Sequence, residues 1–183
     1  MTHWTQVTWG NGGQVLEFIG RDADDIAADS HAALAPDQYC QVLIDRGDII
    51  AAVEFLGHAL PRYEAVVWAA QVLRRLTPGQ DDMLTAVLRW IDDPNDAQRR
   101  AVYERAERLP NDSAKALLGN AVFYSGGSIS GPDLPPVLPP AFACGKSAYG
   151  AVLKAAYATN EPDTILRDAL RIGESIASGG VIA

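Results

Sequence analysis

The chain has 183 residues, 48% of them hydrophobic, and a formal net charge of −8 at pH 7. This length is typical of one domain and is enough to bury a core without disulfides or structural metals. The negative charge disfavours binding to nucleic acids or anionic membranes, and no apolar run reaches the roughly 18 residues that a membrane-spanning helix needs.

Residues 1–35 are predicted to form an N-terminal arm or hairpin that differs from the rest of the chain. The first residues lack the basic and apolar regions of a secretory signal, which predicts a cytoplasmic protein. Gly10–Gly13 has the composition of a turn, and its flanks are rich in aromatic and β-branched residues. A short β-hairpin and a loosely docked arm both fit this pattern, whereas Arg21–Ala35 fits a weak helix or a polar loop.

Residues 36–183 are predicted to form one helical domain. Apolar residues recur there at the i, i+3, i+4 spacing of buried helix faces. The pattern predicts helices over about 37–45, 48–57, 61–76, 81–91, 94–108, 112–124, 145–158 and 162–178. Seven or eight helices with short links predict an all-α fold: an irregular multi-helix bundle or, as the alternative, a short α-solenoid-like stack of helical hairpins.

Capping signals predict where two of these helices start. Asp93 is an acceptor at the N-cap, Pro94 suits the first helical position, and Asp96 adds an acid to the first turn. Asn111-Asp112 is predicted to cap the next helix. The Arg99-Arg100 pair could grip a carboxylate or a phosphate, but simple solvation on a charged helix explains it as well.

The most distinctive feature is an extended proline-rich segment over Ser125–Pro140, which contains five of the eleven prolines. Proline fixes φ and lacks the N–H donor, so the segment cannot be helical and is predicted to be largely polyproline II. Such a strand is a ligand for an aromatic groove in a partner protein, or it packs as a belt over the domain's own aromatic residues. The interleaved Leu134, Val137 and Leu138 favour the packed belt. The candidate partner-binding residues are Trp68, Trp90, Tyr124, Gly126, Gly127, Leu134, Pro135 and Pro136.

The sequence contains no recognisable catalytic residues, metal-ligand spacing or cofactor motif. Gly145-Lys146-Ser147 ends like a phosphate-binding loop, but Pro140 stands where that loop needs a glycine, and no strand precedes it, which favours a helix start. His58 is predicted at a helix end, where a protonated ring interacts favourably with the dipole. Cys40 and Cys144 are predicted to be reduced, buried thiols.

Three segments together resemble a known family: Leu60–Ala69, Trp90–Pro94 with Arg99-Arg100, and Phe123–Ser128 running into the prolines. They are similar to a bacterial family of unknown function whose small helical proteins are often encoded among type VI secretion genes. The resemblance covers about 60–158. It implies no catalytic residues, and it implies a secretion-linked role as an accessory factor, adaptor or effector chaperone.

The leading hypothesis is therefore a non-enzymatic protein-interaction module whose partner is another protein, such as a secretion component or an effector. The alternative is an enzyme or small-ligand binder with a site assembled from distant residues, which predicts a pocket with convergent polar groups and a shifted pKa. A third hypothesis, an immunity protein, needs a cognate toxin.

Overall fold

A computed structural model describes residues 3–131 and 133–180, and this part of the chain folds as ten α-helices with no strand. The helices are α1 (Gly12–Ile19), α2 (Ala23–Ala28), α3 (Pro36–Asp45), α4 (Ile49–Ala59), α5 (Arg62–Leu76), α6 (Asp82–Asp92), α7 (Asp96–Ala106), α8 (Ala114–Tyr124), α9 (Ala143–Tyr157) and α10 (Pro162–Ala177). They pack as a bundle, which confirms the all-α prediction. No helix among these described residues is both long and apolar enough to cross a membrane.

Helices α5 and α9 pack against each other in the core, and both also contact α8 and α10. Trp68 of α5 has no exposed surface, and its indole N–H donates to the carbonyl of Ala169 on α10 at 2.8 Å. Gly173 lets α10 approach this closely, since a Cβ there would lie 3.1 Å from Trp68 Nε1 and would clash with Leu56. The apolar residues that predicted α5 are therefore the residues that place it in the core.

Two helices begin later than the capping signals predicted. Asn95 is the N-cap of α7, and its side chain accepts from the N–H of Gln98 at 3.0 Å. Asp93 cannot serve because it is the C-cap residue of α6. Helix α8 is capped by Ser113 and not by Asn111-Asp112; the Asp112 carboxylate instead accepts from the Lys154 ammonium.

The N-terminal residues form two helices, so the predicted β-hairpin is wrong. The glycine-rich stretch starts α1: the side chain of Asn11 accepts from the N–H of Gln14 at 3.0 Å and so satisfies a first-turn donor. Val15 is fully buried, and α1 packs against α3 and α4. Trp4 is also buried, so this part of the chain adds to the core. The domain boundary at residue 35 stays a prediction.

Candidate protein-interaction surface

The proline-rich segment between α8 and α9 is non-helical, as predicted, but its apolar side chains face solvent. Leu134 is 64% exposed, Val137 51%, Leu138 76% and Phe142 45%. The packed belt is therefore wrong for these side chains; Pro132 lies outside the described residues. We call residues 128–131 and 133–142 the projecting loop.

Arg99 of α7 holds the base of the projecting loop. It is 4% exposed, and its guanidinium donates to the carbonyls of Phe123 at 2.6 Å and Ser128 at 2.8 Å. The same group lies 4.7 Å from the centroid of the Phe123 ring, which also stacks on Tyr103. One buried cation thus joins the end of α8 to the start of the loop.

Arg100 adds a second connection on the same side of α7. Its guanidinium donates to the carbonyls of Ser128 and Ser130, each at 3.0 Å. Asp96 accepts from both arginines, at 2.5 Å from Arg99 and 2.9 Å from Arg100, and these bonds lower the pKa of its carboxyl. The pKa of this carboxyl is lower in the folded protein than in the unfolded chain, where it is near 4, so ionised Asp96 stabilises the fold. This contribution is complete at neutral pH and is lost as the pH falls through the folded pKa.

The loop closes on itself above these arginines. The N–H of Ile129 donates to the carbonyl of Val137 at 2.8 Å, and the N–H of Val137 donates to the hydroxyl of Ser128 at 3.0 Å. The hydroxyl of Ser130 donates to the carbonyl of Pro135 at 2.7 Å. These bonds fix the backbone on both sides of Leu134, so the exposed side chains sit on an ordered support.

Gly127 is required where the loop leaves α8. Its φ is +68°, and a Cβ at this position would lie 3.0 Å from an Arg99 guanidinium nitrogen.

Replacing Gly127 by alanine should lower the free energy of unfolding by about 1–2 kcal/mol, through backbone strain and displacement of the arginine. Gly126→Ala is the matched control, since nothing lies within 4 Å of its Cβ position, and it should change stability by less than about 0.5 kcal/mol. Urea unfolding measures both, and equal losses would contradict this assignment.

The predicted partner-binding residues do not come together on one surface. Trp68 and Trp90 are core residues that expose 0% and 4% of their surface, and the Trp90 ring packs against Tyr63. Tyr124 and Gly126 are half-buried at the end of α8, whereas Gly127 is exposed. The remaining three residues are all exposed in the projecting loop: Leu134, Pro135 and Pro136.

Sequence reasoning missed the role of the two arginines at the loop base and the exposure of two apolar residues of the loop, Leu138 and Phe142. Solvation does not account for Arg99, which is buried on the same stripe of α7 as Val102 and Ala106. That i, i+3, i+7 spacing was the available signal. Leu138 and Phe142 had no such signal, because alternating apolar residues among prolines fit a buried belt equally well.

A second candidate is the cavity that we call the His58 pocket, of about 160 Å³, lined by residues that include Thr8, Trp9, Phe18, His58, Arg62 and Gly145. His58 lies in the last turn of α4 and is 5% exposed. Burial and the positive charge of Lys146 lower the pKa of its ring to about 4, so the ring is neutral at pH 7. The predicted position at a helix end is confirmed, but the neutral ring does not supply the positive charge that would interact with the dipole.

Both cysteines are free and buried, as predicted. Burial raises the pKa of the Cys144 thiol to about 12, which keeps the thiol protonated. This thiol donates to the carbonyl of Arg62 at 3.4 Å and so links the starts of α9 and α5 beside the His58 pocket. Gly145-Lys146-Ser147 lies in the first two turns of α9, which confirms the helix start.

Comparison with known protein families finds one family that matches this chain. The model of a family of unknown function, DUF6931, matches residues 39–177, which is most of the chain. The chain belongs to this family. No curated protein and no solved structure is significantly similar to it.

The DUF6931 match extends beyond residues 60–158, the part of the chain over which the sequence analysis found its family resemblance. It includes α4 to α10, and therefore Arg99, Arg100, the projecting loop and His58. Helices α1 and α2 precede it, so the part of the His58 pocket contributed by Thr8, Trp9 and Phe18 lies outside the family match. The family description names no activity, ligand or secretion system.

Proposed function

We propose that this DUF6931 protein is a non-enzymatic protein-interaction module that presents the projecting loop to an apolar, aromatic-lined groove of another protein. The observation that supports this most directly is the combination of an anchored loop base with outward apolar side chains. Leu134, Val137 and Leu138 are more than half exposed, although a folded chain normally buries such residues.

The geometry suits binding because hydrogen bonds already hold the described loop backbone on both sides of Leu134. A flexible segment loses conformational entropy when it binds, at a cost of about 0.5–1.5 kcal/mol for each side chain that is immobilised. Proline restricts the backbone before binding, and the bonds from Arg99 and Arg100 hold the loop base in place. Burying each exposed leucine in a partner would then contribute about 1–2 kcal/mol.

Recognition of the loop would depend on shape and apolar contact more than on charge. Asp133 is the only charged residue between 125 and 142. The partner groove is therefore expected to be apolar and lined by aromatic side chains, as for other proline-rich ligands.

A secretion-linked role is the more specific form of this proposal. It rests on the residue resemblance to proteins encoded among type VI secretion genes, and it makes the partner a secretion component or an effector. In that setting the chain would act as an adaptor or chaperone, because a preformed apolar loop can hold a partner without any chemical step.

Leu138→Asp tests the proposal, since it places a charge on the most exposed leucine of the loop. The variant should keep the free energy of unfolding within about 0.5 kcal/mol of the unchanged protein and should lose the partner in affinity capture from the native cell. Ile50→Asp is the matched control: Ile50 is 44% exposed on α4, away from the loop, and this variant should keep the partner. Equal recovery with both variants, or no specific partner with the unchanged chain, would count against the proposal.

A further inference from the structure

We propose that a cavity between α1, α2, α3 and α4 binds a small organic cation, in which an ammonium group is attached to an apolar group the size of one aromatic ring. We call this space of about 220 Å³ the acidic cavity; its lining includes Leu16, Asp25, Leu43 and Glu54. None of the lining residues belongs to the projecting loop, so the site does not depend on the protein-interaction role.

The walls of the acidic cavity are mostly apolar and suit a ring. Leu43 and Phe55 are buried, and Leu16, Ile19 and Ile26 are half-buried. A cavity of about 150 Å³ with walls of leucine, isoleucine and phenylalanine binds benzene. The acidic cavity therefore has room for a ring and for a short chain that leads to a charged group.

The charged residues that line the cavity are mainly acids. Asp25, Asp29 and Glu54 stand against one cation, Arg21, so the lining carries a net charge of −2. Arg21 is exposed and donates to Oε2 of Glu54 at 2.9 Å. Among the described residues, no donor bonds to the Asp25 carboxylate or to Oε1 of Glu54. An ammonium group has three donors and no acceptor, and it can bind these free oxygens.

Asp29 keeps its charge beside the apolar walls. Partial burial opposes its ionisation, but the backbone N–H of His31 donates to the carboxylate at 3.0 Å and the Tyr39 hydroxyl donates at 2.7 Å. These bonds, with the positive charge of Arg46 outside the lining, lower the pKa of Asp29 below its usual value. The cavity therefore joins apolar walls to a carboxylate that is ionised at neutral pH, a combination typical of ligand sites.

The spacing of two of the acids also favours a cation. Asp25 lies in α2 and Asp29 is its C-cap residue, four positions later. Like charges at this spacing on a helix repel each other. A bound ammonium group would offset this repulsion, whereas a bound carboxylate would increase it.

The charge of the whole N-terminal third points the same way. Residues 1–59 contain nine Asp and Glu residues and two arginines, so they carry −7 of the net charge of −8. The acidic cavity lies among the helices of this part, α1 to α4, while the rest of the chain is nearly neutral. The resulting field attracts cations to the cavity and repels anions from it.

The test titrates 2-phenylethylammonium into the full chain at pH 7 and about 10 mM ionic strength, where electrostatic screening is weak. NMR follows the Ile26 methyl and Phe55 ring signals. The His58 ring is the internal reference, because no acid lines the His58 pocket. We expect saturable shifts at Ile26 and Phe55 and none at His58. The absence of a saturable shift at Ile26 and Phe55 would overturn the proposal.

Three further probes separate the contribution of charge from that of the ring. Phenylacetate has the ring with a negative charge, 2-phenylethanol has the ring without charge, and ethylammonium has the charge without the ring. The arylalkylamine should bind at least about tenfold more tightly than phenylacetate and at least about threefold more tightly than the other two. Equal binding of phenylacetate or of ethylammonium would contradict the proposed ligand class.

Two neighbouring acids of α2 distinguish a site from general charge attraction. Asp25 lines the cavity, whereas Asp24 is exposed in the same first turn but does not line it. Asp25→Asn should weaken binding of 2-phenylethylammonium at least about threefold, and the matched control Asp24→Asn should change it less than about 1.5-fold. Equal weakening by both variants would show that only the overall field attracts the cation.

Ala51→Leu gives a check that does not depend on charge. Ala51 is half-buried in α4 and lines the cavity, so a leucine there would fill space that the ring needs. Binding should be lost in the folded variant and kept in Ala86→Leu, which enlarges a half-buried alanine on α6. Unchanged affinity in folded Ala51→Leu would overturn the proposal. If this variant does not fold, the comparison of Asp25→Asn with Asp24→Asn still decides the question.

Discussion

Replacing Trp68 by alanine should lower the free energy of unfolding by about 3–5 kcal/mol, the largest single effect expected in this protein. The side chain is fully buried at the centre of the bundle, between Leu56 of α4, Gly173 of α10 and the rest of α5. Alanine removes the indole, leaves a cavity that two rigid helices cannot close, and leaves the Ala169 carbonyl without its donor. Equilibrium unfolding in urea, followed by far-UV circular dichroism, measures the loss.

Trp68→Phe separates the two parts of this effect. Phenylalanine keeps much of the buried apolar surface but cannot donate to Ala169, so the loss should fall to about 1–3 kcal/mol. A loss below about 1 kcal/mol for Trp68→Ala would mean that the indole is not packed in the core. Trp68→Phe should also keep any protein partner, since the indole has no exposed surface to offer.

The sequence predicted the helical core well, because a helix face that is buried needs apolar residues at the helical spacing. In α10 the buried residues recur at the i, i+3, i+4 spacing of one helix face, whereas α5 has an unbroken buried run over 65–70, as expected of a central helix. Helix starts were harder, because several acceptors compete within a few residues. Asp93 and Asn95 both fit the N-cap by type, and only the end of α6 at Asp93 decides between them.

The N-terminal residues show a different limit of sequence patterns. Gly10–Gly13 has the composition of a hairpin turn, but Asn11 caps a helix instead, because Val15 can reach the core from that helix. Local turn chemistry does not reveal which surface is available for packing. Tertiary burial therefore decided between two local structures of similar preference.

The candidate sites were less predictable than the fold, because they depend on contacts between distant segments. Arg99 meets Phe123 and Ser128 across more than 20 positions, and His58 meets Gly145 across 87. No periodic pattern marks such a pair. Gly127 and Gly145 can be read from the sequence, but their contacts cannot. Only the structure shows that Gly127 lies against Arg99 and Gly145 against His58.

Replacing Arg99 by alanine should cost about 2–3 kcal/mol and release the base of the projecting loop. The substitution leaves the carbonyl of Phe123 without its donor, whereas the carbonyl of Ser128 keeps the bond from Arg100. Loss of one buried bond to a charged donor costs about 1.5–3 kcal/mol. Asp96 adds little to the cost because it is 61% exposed and stays hydrated. Hydrogen exchange at the N–H groups of Ile129 and Val137 should then become at least about tenfold faster.

Two controls show whether the effect belongs to the geometry of Arg99 or to charge on α7. Arg105→Ala removes an exposed arginine of the same helix, whose one bond is to the carbonyl of Ala101, and it should cost less than about 0.5 kcal/mol. Arg99→Lys keeps the charge, but an ammonium group lacks the planar fork that joins two carbonyls and Asp96, so it should recover less than half of the loss. Full recovery by lysine would show that position 99 needs only a positive charge. Unchanged exchange in Arg99→Ala would show that the loop is held by its own internal bonds, because those at Ser128 and Val137 do not involve the arginine.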